Sequence, residues 1–102
     1  MAITLQVLYP IVGDTHFDDA YYASKHLDLV TEHMGSYIQD TVVTKGLAGG
    51  PDTPPAFHAT ATMVFADQAA LDGALAAAAP VLADIPNFTN TAPQMLIGQT
   101  YS

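Results

Sequence analysis

Ile3, Leu5, Val7 and Tyr9 alternate with Thr4, Gln6 and Leu8, and Pro10 closes the run. A two-residue period predicts a first β-strand with one buried face. Beyond the loop residues IVGDTH the period lengthens in FDDAYYASKHLDLVTEHM, which predicts a helix over residues 17–34 that stops at Gly35 as a C-terminal cap. The β-branched run in YIQDTVVTKGL predicts a second strand, and the glycine and proline of AGGPDTPPA a flexible loop. FHATATMVF alternates again as a third strand. Asp67 is positioned to cap a second helix, DQAALDGALAAAA, by accepting hydrogen bonds from its first free backbone amides. Pro80 lacks an amide hydrogen and clashes with the preceding turn, so VLADI is expected as a separate helical turn. IPNFTNTAP reads as loop and MLIGQTY as a fourth strand.

The resulting order, β-α-β-β-α-β, predicts an α+β, ferredoxin-like domain over residues 1–102: a four-stranded antiparallel sheet with both helices on one face. On the third strand Phe57, Ala59, Ala61, Met63 and Phe65 fall under the helices, where alanines let backbones approach, and His58, Thr60, Thr62 and Val64 fall on the other side. A bare sheet face on so short a chain implies ligand binding there or face-to-face pairing of two sheets. Pairing produces a homodimer, a dimeric α+β barrel.

Composition narrows the partners. Half of the 102 residues are hydrophobic, enough for one core, although a domain of this size gains stability by association. A formal charge of -8, with Lys25 and Lys45 as the only lysines or arginines, repels phosphate backbones and anionic membrane surfaces. The face of His58, Thr60 and Thr62 also lacks the stacking aromatics that single-stranded nucleic acid uses. Without cysteine there is no disulfide, thiolate nucleophile or thiolate metal ligand. MAITLQVLYP has neither the basic segment nor the long apolar run of a signal peptide, and no run reaches the length of a membrane span, so a cytoplasmic protein is expected.

Wound at about 100° per residue, residues 17–34 turn Phe17, Asp18, Tyr21, Ser24, Lys25, Asp28, Thr31 and Glu32 toward water. The opposite arc holds Ala20, Ala23, Leu27, Val30 and Met34 at one edge, Tyr22 and Leu29 at the other, and Asp19, His26 and His33 between. His26 is thus directed at the sheet. An imidazole in an apolar layer loses hydration, which lowers its pKa, and it needs hydrogen-bond partners. Tyr22, four residues earlier, and Asp84, in ADIPNFT, are the candidates. Two readings stand: His26 is a satisfied core residue, or it lines a pocket as a general acid or base near neutral pH.

The other candidates are plainer. His33 suits the helix C-terminus, and His16 and His58 read as structural. Tyr22, on the border of the buried arc, is packing or a hydroxyl donor; Phe88 plugs a pocket mouth or anchors its loop. His26 and His33 are about 10 Å apart along a helix, too far to share a metal ion. GLAGGP leads to a proline loop and a strand rather than a helix, so no dinucleotide site is indicated, and no serine–histidine signature is present. No cofactor and no metal are expected.

VLYP, FDDAYYASKH, the glycine-proline loop and above all ADIPNFT give the chain a resemblance to the EthD family, named for ethyl tert-butyl ether degradation, over nearly its whole length. Short members carry the label reductase. The resemblance implies a ferredoxin-like protomer in a dimeric α+β barrel, cytoplasmic and bacterial. Members of that barrel superfamily include cofactor-free monooxygenases, cyclases, isomerases and dehydratases that use a cavity between sheet and helices. By position, the motif histidine is His26, the paired tyrosines are Tyr21 and Tyr22, and the loop acid is Asp84.

The expected function is acid–base catalysis on a small hydrophobic molecule in a pocket between the first helix and the sheet. His26 would transfer protons, Tyr22 orient the substrate and Asp84 hold the imidazole tautomer, with Tyr9, Phe57, Phe65 and Phe88 as substrate-binding residues. The alternative is a non-catalytic dimeric barrel protein, one that binds a hydrophobic ligand or is stress-related.

Overall fold

Alternation in β1 (Ile3–Pro10) and β3 (Phe57–Phe65) sets a continuous apolar row on one face of each, and the two strands form the middle of the sheet. The computed structural model, which describes residues 1–102, pairs them antiparallel with Leu5 opposite Met63 and Val7 opposite Ala61. β2 (Asp40–Lys45) extends the edge of β3, and β4 (Gln94–Gln99) that of β1. The order is β2-β3-β1-β4 with every neighbouring pair antiparallel, the α+β ferredoxin-like arrangement.

The first helix begins later than the hydrophobic period suggests. Asp18 takes the cap position, its carboxylate accepting from the Tyr21 amide at 3.1 Å, so Phe17 leaves the helix and bridges to Thr89 instead. The helix then runs as an α-turn (Asp19–Tyr21), a π-helical segment (Tyr22–His26) and a regular α-helix (Leu27–Met34). Gly35 is not a left-handed cap: at φ -58° it opens a 3₁₀ turn, Gly35–Tyr37, which delays the second strand to Asp40.

Asp67 caps the second helix (Gln68–Ala76), accepting from the Ala70 amide at 2.9 Å. Pro80 lies in the first turn of a third helix (Ala79–Asp84), where its missing amide hydrogen leaves no helical bond unmade. A 3₁₀ turn, Ile85–Asn87, follows directly.

The core forms where Leu5, Val7, Tyr9, Ala59, Ala61, Met63 and Phe65 meet Met34, Leu71, Ala74, Ala78, Val81 and Ile85 from the helices. Each fully buried large aliphatic or phenylalanine side chain there contributes about 1.5–3 kcal/mol. The other face of the sheet carries no helix. Gln6 donates to the Thr62 hydroxyl at 3.3 Å, the Thr44 and Thr60 hydroxyls lie 2.8 Å apart, and Val42 and Leu96, paired with Thr62 and Gln6, are more than half exposed. No single helix is long and apolar enough to cross a membrane.

Candidate active site

Residues five apart on an α-helix point about 140° away from each other. The π segment alters that relation, because the Leu27 amide donates to the Tyr22 carbonyl, one residue further back than in an α-helix. Tyr21 and His26 consequently reach the same carboxylate. Tyr21, expected toward water, is half-buried, and its hydroxyl donates to Asp84 Oδ1 at 2.6 Å. Ala20 and Ala23, expected against the sheet, are exposed for the same reason. Tyr22 stacks on the His26 ring, centroids 5.4 Å apart and planes within 18°, rather than hydrogen-bonding to it.

Asp84, the last residue of the third helix, is buried and engaged at both oxygens. Oδ2 lies 3.0 Å from His26 Nδ1; Oδ1 accepts from Tyr21 and, at 2.9 Å, from the Asn87 amide. Burial opposes ionisation of this carboxyl, but hydrogen bonds from Tyr21, Asn87 and His26 outweigh it and hold the pKa below the usual 3.8. Burial also depresses the His26 pKa below 6.5, against the upward pull of Asp84. At neutral pH the pair is therefore carboxylate and neutral imidazole. An ionised carboxylate only accepts, so the imidazole proton sits on Nδ1 and Nε2 keeps its lone pair.

His26, Tyr9 and Tyr22 all line a cavity of about 100 Å³ enclosed by the first helix, the sheet and the second and third helices. Sixteen of its 18 lining residues are hydrophobic, so the imidazole of His26 is among its few polar side chains. Asp84 stands outside the cavity, behind the imidazole.

Three of the expected substrate-binding residues do not line it. Phe65 is fully buried opposite Ile3, six rungs of the ladder from the Tyr9 pair. Phe57 lies beyond Tyr9, beside Pro10 at the end of the strand. Phe88 is fully buried, its ring centroid 4.5 Å from that of His26 and its ring edge-on to Tyr9 and Phe17; it anchors its loop and packs against the imidazole.

The remaining histidines serve local contacts. His16 Nδ1 meets Asn90 Oδ1 at 2.9 Å, and His58 Nε2 meets the Thr15 hydroxyl at 3.0 Å while stacking on Phe17. His33 is half-buried in the last turn of the first helix. Sequence reasoning missed Tyr21 as the partner of Asp84, because nothing in YYASKH announces a π turn, and it missed Asn87. The signal for Asn87 was its spacing, three residues past Asp84 in a proline-containing turn.

A ferredoxin-like α+β domain with a buried His–Asp pair beside an apolar cavity is thus the class of protein that fold and site define. Residues 14–92 match the EthD domain, and the chain belongs to the EthD family. An EthD-like protein from Ralstonia eutropha JMP134 is 33% identical over 99% of this chain and 93% of its own, with a TM-score of 0.87. An ethyl tert-butyl ether degradation (EthD) family protein from Bacillus halodurans C-125 is 21% identical over 98% and 99%, TM-score 0.67. SnoaB, a cofactor-independent oxygenase from Streptomyces nogalater, is 12% identical over 97% and 94%, TM-score 0.61, a likeness of fold alone. No curated protein matches the sequence.

Proposed function

We propose that this EthD-family protein is an acid–base catalyst acting on a small hydrophobic organic molecule in the cavity beneath the first helix. The observation that carries this reading is the His26–Asp84 pair: Nδ1 is held by a carboxylate at 3.0 Å while the ring borders the cavity. His26 takes a proton from the substrate at Nε2 and returns it, and Asp84 fixes the tautomer and stabilises the transient imidazolium. Isomerisation, cyclisation and dehydration need a placed base of this kind, which contributes about 10²–10⁴-fold. SnoaB, of the same fold, is described as a cofactor-independent oxygenase.

The working form in this reading is a cytoplasmic homodimer, paired through the helix-free face of the sheet into an α+β barrel. Half-exposed Val42 and Leu96 on that face support it, and a ferredoxin-like protein from Bacteroides fragilis NCTC 9343 is described as dimeric. The net charge of -8 argues against nucleic acid and anionic membranes as partners.

The test is turnover of a panel of small apolar organic compounds, followed by NMR, with His26→Ala and the better-sized His26→Gln. Both variants are expected to fold and associate as the parent does and to lose turnover. Loss of folding in both variants would make His26 a core residue. The apolar lining favours a second reading, a barrel that holds its ligand unchanged. Tight binding of a molecule recovered intact, with no turnover across the panel, would establish that one.

A further inference from the structure

Polar atoms in the core are satisfied almost everywhere. Asp84 accepts from three donors, and the buried Thr89 and Thr91 hydroxyls donate to the carbonyls of His16 and Pro10. Three atoms differ: the hydroxyls of Tyr9 and Tyr22 and Nε2 of His26 make no hydrogen bond within the chain, although their side chains belong to residues only 2%, 5% and 3% exposed. No side-chain nitrogen or oxygen sealed from solvent is without a partner, so these three atoms keep some solvent contact, and the three residues that carry them all line the cavity. The unspent hydrogen-bonding capacity of the core thus belongs to residues that border one cavity.

The three atoms are of two chemical kinds. His26 Nε2 is an acceptor for a proton. The tyrosines are donors: burial pushes the Tyr22 hydroxyl up to about 12, and burial together with the nearby Tyr22 pushes Tyr9 higher still, so both stay protonated. Their rings meet edge to face with centroids 5.6 Å apart, and Tyr22 stacks on His26. Base and donors are thus consecutive members of one aromatic group.

We infer that the Tyr9 and Tyr22 hydroxyls receive an oxyanion formed when His26 removes a proton, and that the substrate is a small, neutral, enolisable carbonyl compound. The inference rests on the acid–base reading above and adds the substrate class and the role of the tyrosines. In the step, Nε2 takes the α-proton, the C–H electron pair becomes a carbon–carbon double bond, and the carbonyl π pair moves onto oxygen. That oxygen accepts from the two phenols, while the imidazolium is held by Asp84 through Nδ1–H. Return of the proton to carbon restores the carbonyl form and the neutral imidazole. Neutrality follows from the buried carboxylate at the imidazole and the apolar lining. Size follows from the volume: a hollow of about 100 Å³ suits a molecule no larger than a single ring.

The test uses the full chain and two probes. The first is 4-nitrophenol, whose ionised oxygen resembles an enolate and whose absorbance reports its charge. The parent protein is expected to bind it with its ionisation moved to lower pH. Tyr9→Phe and Tyr22→Phe each weaken binding of the ionised probe about 10-fold and the double variant about 100-fold, with toluene binding unchanged. The second probe is cyclopentanone in D₂O, whose α-hydrogens exchange for deuterium at the rate of proton removal. His26→Gln is expected to abolish that exchange and the double tyrosine variant to slow it about 100-fold. A double variant that still shifts the ionisation of 4-nitrophenol, or exchanges cyclopentanone at the parental rate, overturns the oxyanion pair. Absence of exchange in the parent with the 4-nitrophenol pattern intact overturns the base at His26 and leaves the donor pair standing.

Discussion

Tyr21 and His26, five residues apart, converge on the two oxygens of one buried carboxylate, the phenol on Asp84 Oδ1 at 2.6 Å and the imidazole on Oδ2 at 3.0 Å. The π turn between them makes this possible, and such turns recur at functional sites. Tyr21 does not border the cavity, so its influence on any reaction passes through Asp84.

Tyr21→Phe removes a donor that draws charge toward Oδ1. More negative charge is then left facing the imidazole, and the His26 pKa should rise. We expect kcat to fall about 10-fold with KM unchanged, and the acid limb of the pH profile to move to higher pH. A loss confined to KM, or an unmoved acid limb, would reduce Tyr21 to packing.

Asp84→Asn should act with the opposite sign on the same titration. The carboxylate raises the His26 pKa, and without it burial alone sets the value, so the acid limb moves to lower pH. The asparagine amide can donate as well as accept, and the Nδ1–H tautomer is no longer enforced. Turnover should drop about 10²–10⁴-fold. NMR titration of the His26 ring in the two variants measures both signs directly.

Stability should respond to acid in two stages. His26 has a folded pKa below its ordinary 6.5, so just below that pH the unfolded chain binds a proton that the folded one refuses, and stability falls. The loss ends once pH passes the folded value. Asp84, depressed below 3.8, adds a second loss beneath that pH, as carboxylates paired in the fold become protonated. Urea denaturation across pH 3–8 should therefore show the first decline in the parent and its absence in His26→Gln.

Much of this architecture was legible in the sequence because it depends on period and caps. The strand alternation in Ile3 to Tyr9 and Phe57 to Phe65, the Asp67 cap and the break at Pro80 each act locally, and the buried direction of His26 survived the change of helical register. What escaped depends on tertiary context. A uniform 100° winding assigned Tyr21 to water and Ala20 and Ala23 to the core, since a wider turn is chosen by packing and by the carboxylate it reaches. The aromatics Phe57 and Phe65 were candidates for a pocket by type, but their places on the ladder take them away from it.

Gly46 follows the end of β2, where its amide donates to the His58 carbonyl at 2.9 Å. A methyl group there would collide with the Phe57 backbone carbonyl, which cannot swing aside as a side chain would. Gly46→Ala should destabilise the fold by about 1–3 kcal/mol, the usual range for an overpacked site. At Gly50 the added atom meets only the Thr53 side chain at 3.6 Å, an ordinary contact, so Gly50→Ala is the control and should fall within about 0.5 kcal/mol of the parent.

The helix-free face of the sheet offers the sharpest test of assembly. Val42 and Leu96 are 56% and 57% exposed, and the hydroxyls and amides near them are bonded mainly to one another. A glutamate at either position meets water in a lone protomer and costs folding little, but in a face-to-face pair it would be buried opposite an apolar partner. If the protomers pair as proposed, Val42→Glu with Leu96→Glu should therefore dissociate that dimer in analytical ultracentrifugation while the far-UV spectrum stays native. The cavity lies on the other side of the sheet, so the monomer should keep the 4-nitrophenol response. A dimer that persists in the double variant would mean that the protomers meet through another surface.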